Sequence, residues 1–208
     1  MIALAASNVL LGFSAGLLLY YLLTDVLNRF EQWELQAEFP ARADTLPVPD
    51  PSPADPIDLV GWDEQDLRFW TEQAEGASFG RLIIERIDLD QVVVKGHSRD
   101  VLRRGPGWID YTDVPGETGN VGIAGHRTTF GAPFRRLDEV RVGDILELQS
   151  PYRSYRYSVA EVFRVTPDRV DVMRPTDEPT LTLSACDPPF SADYRLIVQA
   201  RLVEVTKF

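Results

Sequence analysis

The sequence predicts an all-β domain, a barrel or a sandwich, carried behind an apolar N-terminal helix. From Phe79 onward, short runs rich in Val, Ile, Leu and Tyr recur: "RLIIERI", "QVVVKG", "GNVGIAG", "DILEL", "YRYSVAEVFRV", "PTLTLSA" and "YRLIVQARLVEV". Clusters of Gly, Pro, Asp or Asn separate most of them, which is the pattern of many short strands joined by turns. Only "DVLRRG" and "APFRRLDEV" have a helical texture, and both are brief. About 130 residues suffice for one closed barrel with its own core.

Upstream, the first 23 residues carry no charged side chain. A helix of that length spans the roughly 30 Å of bilayer hydrocarbon. A cleaved signal peptide would need a basic start and a small-x-small site, and the following "TDVLNRFEQWEL" offers none. The expectation is an uncleaved transmembrane anchor over residues 1–24. No Lys or Arg precedes it and Arg29 follows it, so positive charge alone does not favour an exported C-terminus.

Residues 25–78 are expected to form a stalk. Pro40, Pro47, Pro49, Pro51, Pro53 and Pro56 favour extended conformations that build no core. "WDEQDLRFWTEQAEG" reads as a short helix with Trp62, Leu67 and Trp70 as docking residues. From Thr24 to Ser78 there are 13 acidic and 3 basic residues, whereas from Phe79 onward there are 19 and 18. The acidity therefore belongs to the stalk, where mutual repulsion keeps a linker extended. Residues 79–208 form the β domain.

Composition also excludes several classes. A single cysteine allows no intrachain disulfide, and two histidines with one cysteine make no spaced metal set. There is no glycine-rich phosphate loop and no internal repeat. No metal or cofactor is expected, and no nucleic-acid partner.

The one cysteine is the informative residue. Along Leu181–Cys186 the side chains alternate, with Leu181, Leu183 and Ala185 on one face and Thr182, Ser184 and Cys186 on the other. If the leucines pack inward, the thiol points outward at a strand end, just before Pro188-Pro189. Free cysteines are usually buried as small hydrophobes, and the alternation argues against that here. A thiol nucleophile needs a base or a cation beside it. His97, in the polar "VVVKGHSRD" turn, reads as a surface residue. His126 ends the glycine-rich run "GNVGIAG", where glycines permit close approach. Arg195 follows the loop after Cys186.

"GNVGIAGHR", "TLSAC" and "FSADYRLIV" resemble the three signatures of sortases, the Cys-His-Arg transpeptidases of Gram-positive cell surfaces. The resemblance spans roughly residues 80 to 204. "GRLIIERIDLDQVVVKG", "LRRGPG" and "GHRTTFGAPFRRLDEVRVGD" make it most similar to class E sortases of actinobacteria. It implies a closed eight-stranded β-barrel with short helices, and a single-pass membrane protein with its catalytic domain outside the cell. It also implies that Cys186 attacks the Thr carbonyl of a C-terminal LPxTG- or LAxTG-like sorting motif to form a thioacyl enzyme. His126 would protonate the leaving Gly amine, then deprotonate an incoming peptidoglycan-precursor amine. Arg195 would donate to the oxyanion or hold the substrate backbone. Phe130, Thr182 and Ser184 are the candidate substrate-contacting residues. Two positions depart from the family pattern. Ala185 stands where Thr usually precedes the nucleophile, and Phe130 where class E often has Tyr. The second weakens the usual class E expectation of Ala in the sorting motif.

Three alternatives have distinct signatures. A pilin-polymerising sortase would carry an Asp-Pro-aromatic lid, but here Ser52 follows Asp50-Pro51 and Ile57 follows Asp55-Pro56. A hydrolytic cysteine protease would give acid product whatever amine is present. A non-catalytic tethered binding domain would show no selective thiol labelling of Cys186.

Overall fold

The computed structural model describes residues 2–39, 64–116 and 118–207. The described residues form two α-helices and eight strands. Helix α1 is Ile2–Glu38 and α2 is Glu64–Glu72; the strands are β1 Ser78–Ile84, β2 Leu89–Lys95, β3 Gly107–Trp108, β4 Asn120–Gly125, β5 Ile145–Gln149, β6 Arg153–Val165, β7 Thr180–Asp187 and β8 Tyr194–Lys207. They close into a barrel in the order β1-β2-β3-β4-β7-β8-β6-β5. The β2–β3 and β4–β7 pairs are parallel, and the remaining neighbours are antiparallel. Of the two expected β architectures, the closed barrel is the one adopted; closure leaves no long strand edge exposed to other chains.

Alternation sets which residues fill the barrel. Leu181, Leu183 and Ala185 of β7 join Leu196, Val198, Ala200 and Leu202 of β8 in one core. Val121 and Ile123 of β4 enter from the other side. Outward residues of β4, β6 and β8, with residues of two connecting segments, build a smaller apolar layer. There Ile109, Met173 and Ile197 pack together, with Ala124, Phe163, Val165 and Val172 around them. A 3-10 turn at Val170–Met173 covers this layer.

The structural unit extends upstream of the expected boundary at Phe79. Phe69 and Trp70 of α2 sit in the barrel core, with the Trp70 ring 4.4 Å from Phe79, which in turn stacks on Trp108 at 4.5 Å. Trp70 docks as the sequence suggested, while Leu67 is 39% exposed and its neighbour Phe69 takes the inward place. Trp62 and the six prolines lie outside the described residues.

Helix α1 does not stop at Thr24 but runs on through residues expected to belong to the stalk. Leu, Ala, Glu and Gln dominate it, all good helix formers. Phe39 precedes Pro40 in sequence, and a residue before proline is biased out of the helical region. The second half of α1 packs on the barrel. Leu35 is buried against Val92, Val94 and Val101. Gln32 accepts from Val92 N at 2.9 Å and donates to Arg104 O at 2.9 Å. Asn28 donates to Arg103 O and Arg104 O at 3.0 and 3.1 Å. Two glycines admit the helix this closely. A Cβ at Gly105 would collide with Gln32, and one at Gly131 with Asn28.

Candidate active site

Barrel register brings the three sequence-predicted residues to one edge. β4 and β7 run parallel and in register up to the pair Gly125–Ala185. The next residue on each chain is His126 and Cys186. Across the other side of β7, Cys186 pairs directly with Arg195 of β8. Cys186, His126 and Arg195 therefore stand on three adjacent strand ends, and Cys186 occupies the middle position. All three are half-buried, as groups at a groove mouth must be to meet both water and a substrate.

The β4 end is shaped by Gly125. The Phe134 ring packs against it, and any Cβ there would overlap that ring. Phe134 N donates to His126 O at 3.0 Å, which closes the loop that carries the imidazole. His126 Nε2 is buried, and no protein atom hydrogen-bonds to it. Burial lowers the His126 pKa below its usual 6.5, with the Arg103 and Arg99 charges acting in the same direction. The imidazole is thus held toward its neutral form, with a ring nitrogen available to a proton donor or acceptor.

Phe130 lies against the imidazole with ring centroids 5.4 Å apart, and the Arg103 guanidinium sits over the Phe130 ring at 5.4 Å. This residue adopts a φ of +53°, uncommon for a bulky side chain. Ser184 is half-buried on the same outward face as Cys186 and pairs with Ala124 across the groove floor. Thr182 departs from expectation. It is wholly buried, donates to Asn120 Oδ1 at 2.7 Å and accepts from Gln199 at 3.3 Å. Asn120 in turn donates to Val172 O and Arg174 O. Thr182 therefore anchors the groove wall from behind and presents no accessible group to a substrate. The alternation put it on the correct face, but the 3-10 turn covers that part of the face.

Arg195 donates through one guanidinium nitrogen to Ala192 O and Tyr194 O, both at 3.1 Å. These are contacts to exposed backbone within its own loop. His97 is an exposed residue paired with Asp110 at 3.2 Å, as its polar turn suggested. Among the described residues no cluster of three or more His, Cys, Asp or Glu could hold a metal ion.

One pair went unnoticed in the sequence. Arg127 follows His126 and Asp187 follows Cys186, and the two form a buried ion pair. Arg127 also reaches Asp138 at 2.7 Å, and Arg164 reaches Asp187 at 2.6 Å. The pair ties the β4 and β7 ends together immediately beside His126 and Cys186. The signal was present as "HR" and "CD" at matching strand ends, but only the parallel register shows that they meet.

A sortase-domain family profile matches residues 82–203. Sortase SrtE1 of Streptomyces coelicolor is 31% identical over 147 residues, which cover 62% of this chain and 41% of SrtE1. Sortase D of Bacillus subtilis is 31% identical over 54% of this chain and 56% of its own length. The chain thus spans about half the length of these relatives. Among solved structures, Clostridium perfringens sortase D5 superposes with a TM-score of 0.61 at 32% identity, covering 67% of this chain and 88% of that one. Streptomyces coelicolor sortase E1, with a tripeptide in its active site, gives 0.61 at 28% identity, covering 65% and 93%. Class E members recur among these relatives, and the chain belongs to the sortase family.

Proposed function

We propose that this chain is a membrane-anchored cysteine transpeptidase that exchanges one amide for another through a thioester. The observation that carries the reading is the placement of His126, Cys186 and Arg195 on three adjacent strand ends. In the first half-reaction the Cys186 thiol passes its proton to the neutral His126 imidazole as its sulfur adds to the Thr carbonyl of a sorting motif. The C–N bond breaks, His126 gives a proton to the departing Gly amine, and a thioester remains. In the second, an amine attacks that thioester, His126 takes its proton, and the thiolate leaves. Splitting the exchange lets one nucleophile activate the acyl group and a second collect it. The Arg195 fork donates to the carbonyl oxygen as it gains charge. Secreted proteins with a C-terminal LPxTG- or LAxTG-like motif are the donors, and a peptidoglycan-precursor amine is the acceptor.

The tripeptide bound in the sortase E1 active site supports a peptide donor. Helix α1 is long and apolar enough to cross a membrane. In this reading it anchors the protein with the barrel outside the cell. The test is incubation of the full chain in detergent with sorting peptides, with and without a diaminopimelate-type amine, followed by mass analysis. Amide product with added amine supports transpeptidation. Acid product alone, whatever the amine, contradicts it.

A further inference from the structure

The juxtamembrane half of α1 is amphipathic in the inverted sense. Its barrel-facing side is polar and buried: Thr24, Asn28 and Gln32 are all under 9% exposed, with Leu35 completing the stripe. Its outward side is apolar and bare. Val26, Leu27, Phe30 and Trp33 are each more than 60% exposed, and Phe30 and Trp33 touch each other at 6.0 Å between centroids. These residues continue the stripe of Leu19, Leu22 and Leu23 at helical spacing, with no break at the first charge, Asp25. Exposed aromatic and aliphatic residues in one contiguous stripe mark a surface that meets something other than water.

We propose that this outward stripe, through Trp33, rests in the headgroup layer of the bilayer that α1 crosses, so that the catalytic groove is seated at the membrane surface. The proposal rests on the anchor reading above. Continuity identifies the occupant as lipid, because the stripe is the same face of the same unbroken helix. Length agrees. Ile2–Trp33 rises about 48 Å, which at the roughly 20° tilt common for membrane helices spans about 45 Å, the depth that includes headgroups. Phe30 and Trp33 then fall at the depth where aromatic residues collect. Arg29, one turn before Trp33, flanks the stripe where a basic side chain meets lipid phosphate.

A second contact brings the groove to the same level. Phe190, in the loop between Cys186 and Arg195, is 77% exposed and meets the Tyr21 ring edge-on at 6.0 Å. Tyr21 belongs to the uncharged segment of α1. A loop four residues from the nucleophile therefore reaches the depth of the helix end. The polar dock makes this arrangement rigid, since Asn28 and Gln32 hold backbone of β2 at Val92 and of the following segment at Arg103 and Arg104. A polypeptide still tethered in the same bilayer would meet the groove without leaving the surface.

The experiment uses the full chain carrying Cys186→Ala, which removes the only thiol. Single cysteines replace Leu17, Phe30, Trp33, Phe190 and, as a water reference, the exposed Val142. Each is spin-labelled and reconstituted in phosphatidylcholine–phosphatidylglycerol vesicles. Relaxation by oxygen is then compared with relaxation by a water-soluble nickel chelate. Labels at 30, 33 and 190 are expected to lose most of the nickel effect seen at 142, approaching the label at 17. Nickel access at 30 and 33 equal to that at 142, with 17 still shielded, overturns the proposal while leaving the anchor intact. Nickel access at 17 as well overturns the anchor reading itself. Spin–spin broadening at 30 or 33 at low protein-to-lipid ratio means a second copy covers the stripe, and also overturns it.

Discussion

Strand β7 and the second half of α1 bury opposite chemistry against the same barrel. β7 turns Leu181, Leu183 and Ala185 into the core and leaves Ser184 and Cys186 on the outside. α1 turns Asn28 and Gln32 inward and leaves Phe30 and Trp33 outside. The strand is held by area removed from water, which is non-directional, while its ladders to β4 and β8 set its register. The helix adds to the buried Leu35 hydrogen bonds to the backbone of Val92, Arg103 and Arg104, which are directional and fix position. The first arrangement makes a wall. The second orients the wall relative to whatever covers the other side of the helix.

The largest expected effects fall on the strand ends. His126→Ala lowers kcat by on the order of 10² to 10⁴, the scale for losing a general acid–base group. Arg195→Lys and Arg195→Ala each lower kcat/KM by roughly 10² to 10³, because a lysine lacks the planar fork. Steady-state cleavage of a fluorogenic sorting peptide reads both. An Arg195→Ala enzyme within about threefold of wild type would assign the oxyanion to another donor.

The buried ion pair comes next. Asp187→Asn leaves Arg127 without its buried carboxylate and is expected to cost about 3 to 5 kcal/mol by denaturant unfolding. Activity falls with it, since the pair ties the ends that carry His126 and Cys186. Unchanged stability and unchanged kcat would show that Asp138 alone suffices for Arg127.

Two smaller substitutions set the two buried faces against each other. Leu183→Ala should cost about 2 to 5 kcal/mol from lost contact and cavity. Gln32→Ala should cost about 1 to 3 kcal/mol by leaving Val92 N without its acceptor. The first should lower stability with little change in KM. The second should lower activity toward a vesicle-tethered peptide more than toward a free one. Equal loss toward both would reduce the α1 dock to simple stabilisation.

The smallest effect is a pH slope. Burial holds the His126 pKa below its ordinary 6.5. Below pH 6.5 the unfolded chain therefore binds more protons than the folded one, and stability falls as pH falls through that window. Above it the contribution is constant. Melting temperatures of wild type and His126→Asn between pH 5 and 7.5 should differ in slope, with the flatter response in the variant.

How much of this could be read in the sequence depends on whether one face or two partners decide it. Strict alternation named Cys186 as outward because the barrel core is one-sided and period two leaves no other choice. The ends of β4 and β8 were equally legible from the glycines and the prolines around them. Thr182 was on the face alternation gave it, yet the 3-10 turn at Val170–Met173, just upstream in the chain, covers it through Asn120. The Arg127–Asp187 pair needed the parallel β4–β7 register, which no local pattern encodes. The α1 dock was hidden for a stronger reason. Residues from Asp25 on share the acidic composition of the stalk, and nothing local marks Asn28 and Gln32 as buried; the room for them is made far away, at Gly105 and Gly131.

The most direct measurement is intact-protein mass analysis of the full chain mixed with a sorting peptide, before and after a diaminopimelate-type amine is added. The assembled strand ends predict a thioester adduct on Cys186 that disappears on amine addition as the new amide forms, and no adduct in Cys186→Ala. Amide formation that persists at an appreciable rate in Cys186→Ala would contradict the assignment of the nucleophile and the mechanism built on it.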